Sequence, residues 1–532
     1  MASVQRVFKV NGKPFFPLGG QVFNSSAYTA EEMETAWRAL KAIHANTVEA
    51  PVYWEQVEPD EGRFDFAPVD ALLEGAREHG LKLIILWFAT WKNGCMKYAP
   101  AWVKRDPERF RRVQTPAGAP LAVLSPHCQA NWEADRRAFC ALLEHLRRVD
   151  GEQRTVIAIQ VENEPGSIGS DRDYGPDGQA AYQAPVPSEL VAALRRAQGG
   201  PVHAAWQANG ARQEGSWPEL FGWQAGEYLS AWQIAHYIDG LAAAGKAIYG
   251  VPMYVNVWLG EGSWRIPGLT YPAGGAVAGV LDIWKWSTPH IDLIAPDIYR
   301  SDWPGYLESC AAYARLDNPL FVPESAPAGH NAHHVFRAVA DYDAIGYACF
   351  GVESVLADDG SVRPEARTLV ESFRCLAAAL PLLLRYQGTG RIRAIDQQEG
   401  MGEQYLDLGD YIGRAVFFSA DSSGARTDFH HRDIDRHERG RGLVIQAGPN
   451  EFYLVGAGFR LLLLKKQQPE AFLGLPWANE FHAQRLSNYV QVAEGHFADG
   501  TWISDRRRNG DESDFGVWVT PDVGVVHVVA GE

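Results

Sequence analysis

Cysteine is scarce in this chain: 532 residues carry only Cys95, Cys128, Cys140, Cys310, Cys349 and Cys375. None form a CxxC and no pair has zinc-ligand spacing, which fits a reducing compartment. Positive charge is also in deficit, with 49 Lys and Arg against 65 Asp and Glu and a formal charge of −16. Such a surface repels phosphate backbones and anionic lipid, so nucleic acid and membranes are not expected partners. A neutral, polar substrate suits that sign better. No apolar run approaches a membrane span, and the opening MASVQRVFKVNGKPFF has neither an h-region nor a cleavage site. The expected location is cytoplasmic, or periplasmic or secreted if a leader was removed.

Several cofactor signatures are missing as well. Walker and Rossmann glycine patterns do not follow any strand, and no GxSxG elbow occurs. His330, His333 and His334 form HNAHH where a helix should begin, and His430 and His431 fall in a charged loop. These read as surface and capping residues, so neither a metal nor a cofactor is expected.

What is present is a strong alternation of apolar runs and helical periodicity. Strand-like runs are Phe15–Val22, Asn46–Val52, Leu81–Phe88, Val156–Val161, Val251–Trp258, Ile291–Ile298, Pro319–Val322 and Ile345–Phe350. Between them, apolar residues recur at three-to-four spacing, as in Met33, Trp37, Leu40 and Ile43. Eight parallel strands with helical crossovers predict an α/β fold, a (β/α)8 TIM barrel, although a doubly wound sheet has the same parity. Two connections are unusually long, from strand three to four and from four to five. The latter includes GSIGSDRDYGPDGQAAYQAPVP, read as a loop on the functional face. Past residue 385 the texture changes to short alternating runs such as GRAVFFSA, GLVIQAG and EFYLVGAGFRLLLL, divided by turn residues. Those predict a smaller all-β, sandwich-like C-terminal domain. The expected division is 1–380 for the barrel and 385–532 for an accessory unit. The accessory unit reads as structural or subunit-pairing, which leaves a homo-oligomer open as a partner.

The sharpest local signal is VIAIQVENEPGS, an apolar strand ending in Glu162, Asn163, Glu164 and Pro165. Carboxylates are costly to bury at a strand end without a task, and barrels build active sites at that end. NPLFVPESAPAGH repeats the logic, with Glu324 closing an apolar strand. Two carboxylates at matching strand ends can flank a glycosidic bond as proton donor and nucleophile or base. Strand parity alone does not choose between Glu162 and Glu164.

On these residues the first 375 positions resemble clan A glycoside hydrolases, closest to the family 35 β-galactosidases and their family 42 relatives. VENEP resembles the strand-four motif in which Asn precedes the acid/base, which implies Asn163 and Glu164. FVPES resembles the strand-seven segment that carries the nucleophile, which implies Glu324. NTVEAPVYWEQVEPDEGRFDF resembles the strand-two stretch, with Trp54, Glu58, Pro59, Gly62, Phe64, Asp65 and Phe66. Tyr299, in IAPDIYRSDW, resembles the Tyr that donates to the nucleophile. Departures fall in sugar recognition: Thr90 precedes Trp91 where the family has a Glu-Trp pair, and Pro51 stands near the family's Tyr. Trp91, Lys92 and Asn93 are the replacement candidates, with Asn256 and Trp258 closing strand five.

The resemblance implies a retaining exo-hydrolase that releases terminal β-D-galactose from an oligo- or polysaccharide β-galactoside. Glu324 would attack the anomeric carbon while Glu164 protonates the leaving oxygen. Carboxyl groups about 5.5 Å apart are the expected geometry. The alternatives are another glycone or an endo mode within the clan, or a carbohydrate-binding barrel without catalysis.

Overall fold

The computed structural model describes residues 7–260, 264–420, 438–466, 489–508, 511–514 and 516–531. Its first part is a curled, all-parallel sheet wrapped by helices. The strands are β1 (Leu18–Gln21), β2 (Thr47–Tyr53), β3 (Lys82–Lys92), β4 (Val156–Asn163), β5 (Met253–Trp258), β6 (Leu293–Asp297) and β7 (Tyr347–Phe350). Their order is β6-β5-β4-β3-β2-β1-β7, and every pairing is parallel. Nearly every residue of β2 to β6 is buried, as apolar strands covered on both faces must be. Helices α1 (Met33–Ala42), α2 (Ala67–Glu78), α3 (Gln129–Asp150), α4 (Ala225–Ile248), α6 (Trp303–Tyr313), α7 (Asn331–Asp341) and α8 (Arg367–Tyr386) line the chain between or after strands, with the short α5 (Leu281–Ser287) before β6. On α1 the buried residues are Met33, Ala36, Trp37, Ala39 and Leu40, one face of the helix.

The seventh apolar run, Pro319–Val322, does not form a full strand. Pro319 and Pro323 bring no backbone N–H, so a continuous ladder cannot form there. The segment 320–325 instead makes parallel bridges to both sheet edges, Ile298 with Ser325 and Val322 with Tyr347. The Ile298 N–H donates to the Glu324 carbonyl at 2.9 Å, and the Ala348 N–H to the Val322 carbonyl at 2.8 Å. Those contacts deliver Glu324 to the sheet's C-terminal rim.

Two further departures matter. Strand β3 runs four residues past its expected end at Phe88 and is irregular there. Trp87 pairs with Val161, and the next pair is Lys92 with Asn163. Five steps of β3 therefore oppose two of β4, a wide bulge. The long connection to β5 is also less loop-like than expected, because Pro176–Gln183 within it forms a helix opened by a proline.

The C-terminal region is β-rich. One sheet has the order β8 (Ile392–Asp396), β11 (Arg441–Gly448), β12 (Glu451–Ala457), β17 (Val525–Ala530), β14 (Tyr489–Ala498), β15 (Thr501–Arg507). The other joins β9 (Glu403–Leu408), β10 (Tyr411–Phe417), β13 (Phe459–Lys465) and β16 (Val517–Val519). Period-two alternation sorts β12 between two cores. Phe452 and Leu454 pack with Leu461 and Phe417 between the two sheets. Tyr453 and Val455 face the other way and join the core of the first part, with Phe373, Leu376 and Leu383 of α8.

Arg441 ties that junction. It is buried, donates through Nε to Ser372 Oγ at 2.9 Å, and pairs with Glu371 at 2.7 Å and Glu438 at 2.8 Å. Replacing Arg441 with Leu leaves the Glu371 and Glu438 carboxyls facing each other, with only the exposed Arg367 still paired to Glu371 at 2.8 Å. The expected loss is about 3 kcal/mol of unfolding free energy, measured by chemical denaturation.

Candidate active site

The C-terminal rim of the sheet gathers polar side chains from strands that are otherwise apolar. Strand β4 ends with two non-glycine residues in the left-handed region, Glu162 at φ 65° and Glu164 at φ 45°. Each costs about 1–3 kcal/mol, a strain that persists only where surrounding contacts hold it. Those contacts are visible. The Glu164 N–H donates to Asn256 Oδ1 at 2.8 Å, and the Gly94 N–H donates to the Glu164 carbonyl at 3.1 Å.

Glu164, Asp297 and Glu324 bring carboxylate oxygens within 4.8 Å of one another, and all three side chains are buried. Glu324 accepts from three neighbours. Gln21 Nε2 donates to its Oε1 at 2.8 Å, Tyr299 OH to its Oε2 at 2.7 Å, and Asn256 Nδ2 reaches Oε1 at 3.4 Å. The same Asn256 amide donates to Asp297 Oδ2 at 2.9 Å, so one residue holds Asp297 and Glu324 by their carboxyls and Glu164 by its backbone N–H. From the β3 bulge, Lys92 Nζ donates to Asn163 Oδ1 and Asn93 Nδ2 donates to Glu164 Oε2.

Electrostatics separates the carboxyls. Burial, then the charge of Glu324, pushes Glu164 up to about 7, with Lys92 opposing the rise. Asp297 is driven well above the carboxylate range by burial and by the charges of Glu324 and Glu164. Deeper in the sheet, Glu49 is raised by burial and by the charge of Glu324, with Tyr254 OH donating to it at 3.2 Å. Burial and the Glu324 charge hold Tyr299 in its phenol form, a neutral donor. A cation at this cluster would meet Lys92 and the amide and hydroxyl protons of Asn93, Gln21, Asn256 and Tyr299. Donors aimed at carboxylates tune acid–base chemistry and do not form a metal shell.

The expected residues fall into three groups. Glu164, Glu324, Asn163, Tyr299, Lys92, Asn93 and Asn256 converge on the cluster. Trp258 closes β5 and is 37% exposed, a ring at the rim. Trp91 does not join them: it is fully buried, its ring edge-on to Tyr237 at 4.9 Å, and offers no face to a ligand. The bulge explains the difference, since it turns Lys92 and Asn93 toward β4 while Trp91 packs beneath. Gln21 and Asp297 were missed. Their signal was a lone polar residue within an apolar strand, in LGGQV and IAPDI.

The histidines of α7 lie at the junction with the β-rich region, not on a free surface. His334 Nδ1 meets Asp396 Oδ2 at 2.9 Å, and burial with nearby Arg441 and Arg439 pushes His333 down to about 2. His430 and His431 lie outside the described residues. All six cysteines are free, and among the described residues no helix is long and apolar enough to cross a membrane.

Comparison with known proteins agrees with the class of this site. The family model of glycoside hydrolase 42, described as β-galactosidase, matches residues 22–191, and a domain of unknown function, DUF5597, matches residues 369–520. A β-galactosidase of Xanthomonas manihotis is 31% identical over 185 residues, which is 33% of this chain and 28% of that protein. β-Galactosidase-1-like protein 3 of Homo sapiens is 30% identical over 180 residues, 31% of this chain and 25% of that protein. The chain therefore spans about a quarter of the length of these curated relatives. Among solved structures, a β-galactosidase of Halorubrum lacusprofundi is similar at 18% identity and a TM-score of 0.49, covering 68% of this chain and 58% of that one. The chain is β-galactosidase-like and glycoside-hydrolase-like over its first third. Family 35 was the first expectation, whereas the family model that matches is family 42. The matched segment contains Asn163 and Glu164 but not Glu324.

Proposed function

We propose that this chain is a retaining clan A glycoside hydrolase on a closed (β/α)8 barrel, releasing terminal β-D-galactose from β-galactosides. Segment 320–325, bridged to both edges, serves as the barrel's seventh strand. The observation that carries the reading is the pair Glu164 and Glu324, with carboxylate oxygens inside 4.8 Å. Retaining enzymes hold their two carboxyls about 5–5.5 Å apart, whereas inverting ones need about 6.5–9.5 Å to admit a water.

The roles follow from the partners. Glu324 is the nucleophile: donors from Gln21, Tyr299 and Asn256 hold its two oxygens in place for attack. Glu164 is the acid/base: raised to about 7, it can carry a proton to the leaving oxygen and later take one from water. Asn163 is the sugar-binding amide. Its Nδ2 is buried with no partner among the described residues while its oxygen is held by Lys92, so one donor remains for a sugar hydroxyl. Trp258 and Tyr299, both partly exposed, supply rims on which a sugar face can rest.

We also take residues 1–380 as the catalytic unit and 385–532 as an accessory β-sandwich. Six free thiols suit a reducing compartment.

A panel of nitrophenyl glycosides tests the glycone, with the β-galactoside expected to give the highest kcat/KM. A preference for another sugar, or activity confined to internal bonds, would overturn the galactose assignment while leaving the mechanism in place. The pH profile follows from Glu164. The free enzyme needs it protonated, so kcat/KM is expected to fall as pH rises through about 7. A plateau extending well above that point would contradict the acid role.

A further inference from the structure

Strand β3 does not present the residues that its register predicts. Trp87 opposes Val161; continued without interruption, that register would place Ala89 opposite Asn163 and Thr90 opposite Glu164. Neither could give what the site contains, an ammonium on Asn163 and an amide on Glu164. The bulge replaces them with Lys92 and Asn93.

Something must hold that bulge, because its backbone donors have left the ladder. Glu162, fully buried at φ 65°, accepts the Trp91 N–H at 2.7 Å and the Thr90 N–H at 3.3 Å. Asp135 of α3, also fully buried, accepts the Thr90 hydroxyl at 2.7 Å, Trp87 Nε1 at 2.9 Å and Tyr237 OH at 3.1 Å. The two carboxyls feel each other: burial, then the charge of Asp135, raises Glu162 well above the carboxylate range, and burial raises Asp135. The bulge is thus gripped by its backbone from β4 and by its side chains from α3. Just beyond the grip, the Asn93 N–H resumes pairing on the Asn163 carbonyl at 3.2 Å.

We infer that the Glu162–Asp135 pair is a register clamp: it fixes β3 against β4 so that Lys92 and Asn93 face Asn163 and Glu164. Glu162 is a positioning residue that acts on the acid/base through these two donors. The inference rests on the proposed role of Glu164 and extends it, because it names what sets that residue's proton affinity. The charged groups around Glu164 are Lys92 and Lys97, Asp297 and Glu324. Lys92 lowers its affinity for a proton, and the Asn93 amide favours its ionised form. Loss of register removes both, so Glu164 should titrate higher.

Glu162→Gln tests this, because one amide oxygen cannot replace the two carboxyl oxygens that accept the Thr90 and Trp91 N–H groups. Titration is read by infrared spectroscopy from the carboxyl band that disappears in Glu164→Gln, which requires no turnover. Asn93→Ala in the parent protein is expected to raise the Glu164 titration by about one pH unit. Glu162→Gln should raise it by at least as much, and adding Asn93→Ala should then change nothing further. Thr90→Val, close to isosteric and lacking only the hydroxyl on Asp135, should shift it in the same direction by less. If Glu162→Gln fails to fold, Thr90→Val with and without Asn93→Ala decides. A titration unmoved in the clamp variants, or a full Asn93→Ala shift in both backgrounds, overturns the clamp. A protein inactive on every glycoside would sink the proposed function, yet these titrations would still judge the clamp.

Discussion

Glu324→Gln is expected to lower kcat on nitrophenyl β-galactoside on the order of 10⁴-fold or more, leaving the fold and substrate binding nearly intact. The amide is the same size as the carboxylate and keeps one oxygen to accept from Tyr299 or Gln21, which stand 2.7 and 2.8 Å from the carboxylate. It cannot form the glycosyl ester, and it brings two N–H groups to a place where the donors already point inward. Because the charge of Glu324 also contributes to the raised proton affinity of Glu164, its loss should allow Glu164 to ionise at lower pH. Equal turnover by variant and parent would remove Glu324 from the chemistry.

The second large effect concerns Glu164, and its signature is unevenness between substrates. Removing a general acid costs about 10²–10⁴-fold when the leaving group needs a proton. Glu164→Ala should therefore lose most of its kcat/KM on alkyl and phenyl galactosides. On a dinitrophenyl galactoside, whose anion leaves unaided, the first step should survive. The second step has lost its base, so the covalent intermediate should accumulate and appear as a burst. Azide, which needs no deprotonation, should restore turnover and form a galactosyl azide of retained configuration. Equal losses on good and poor leaving groups, without a burst, would mean that Glu164 does not handle the proton.

Much of this site was legible because its carboxyls interrupt apolar strands. VIAIQVENEP and NPLFVPES each place an acid where burial would otherwise be expensive, and the structure brings those two residues together. Tyr299 could be placed by its position just after β6. Gln21, Glu49 and Asp297 carry the same kind of signal, one polar residue in an apolar run. Their meaning depends on which face of the strand looks inward, and a short run does not fix that.

The bulge was harder to see. KLIILWFATWK has no glycine or proline to mark an irregularity, and the residues that create it, Glu162 and Asp135, lie on other elements. Trp91 therefore counted as a neighbour of Lys92 in sequence, although the chain turns it into the core. The α7 histidines failed for a related reason. A helix can reveal a polar face, but not that Asp396, Arg439 and Arg441 will cover it.

Incubation with a 2-fluoro-galactosyl fluoride followed by peptide mass spectrometry tests the central claim most directly. The fluorine slows both steps and the fluoride leaves readily, so a covalent sugar should persist. One fluorogalactosyl group on the peptide containing Glu324, absent from Glu324→Gln, is the expected result. Labelling of Asp297 or Glu164 instead, or no covalent adduct on a protein that turns over galactosides, would contradict the assignment of Glu324 as nucleophile.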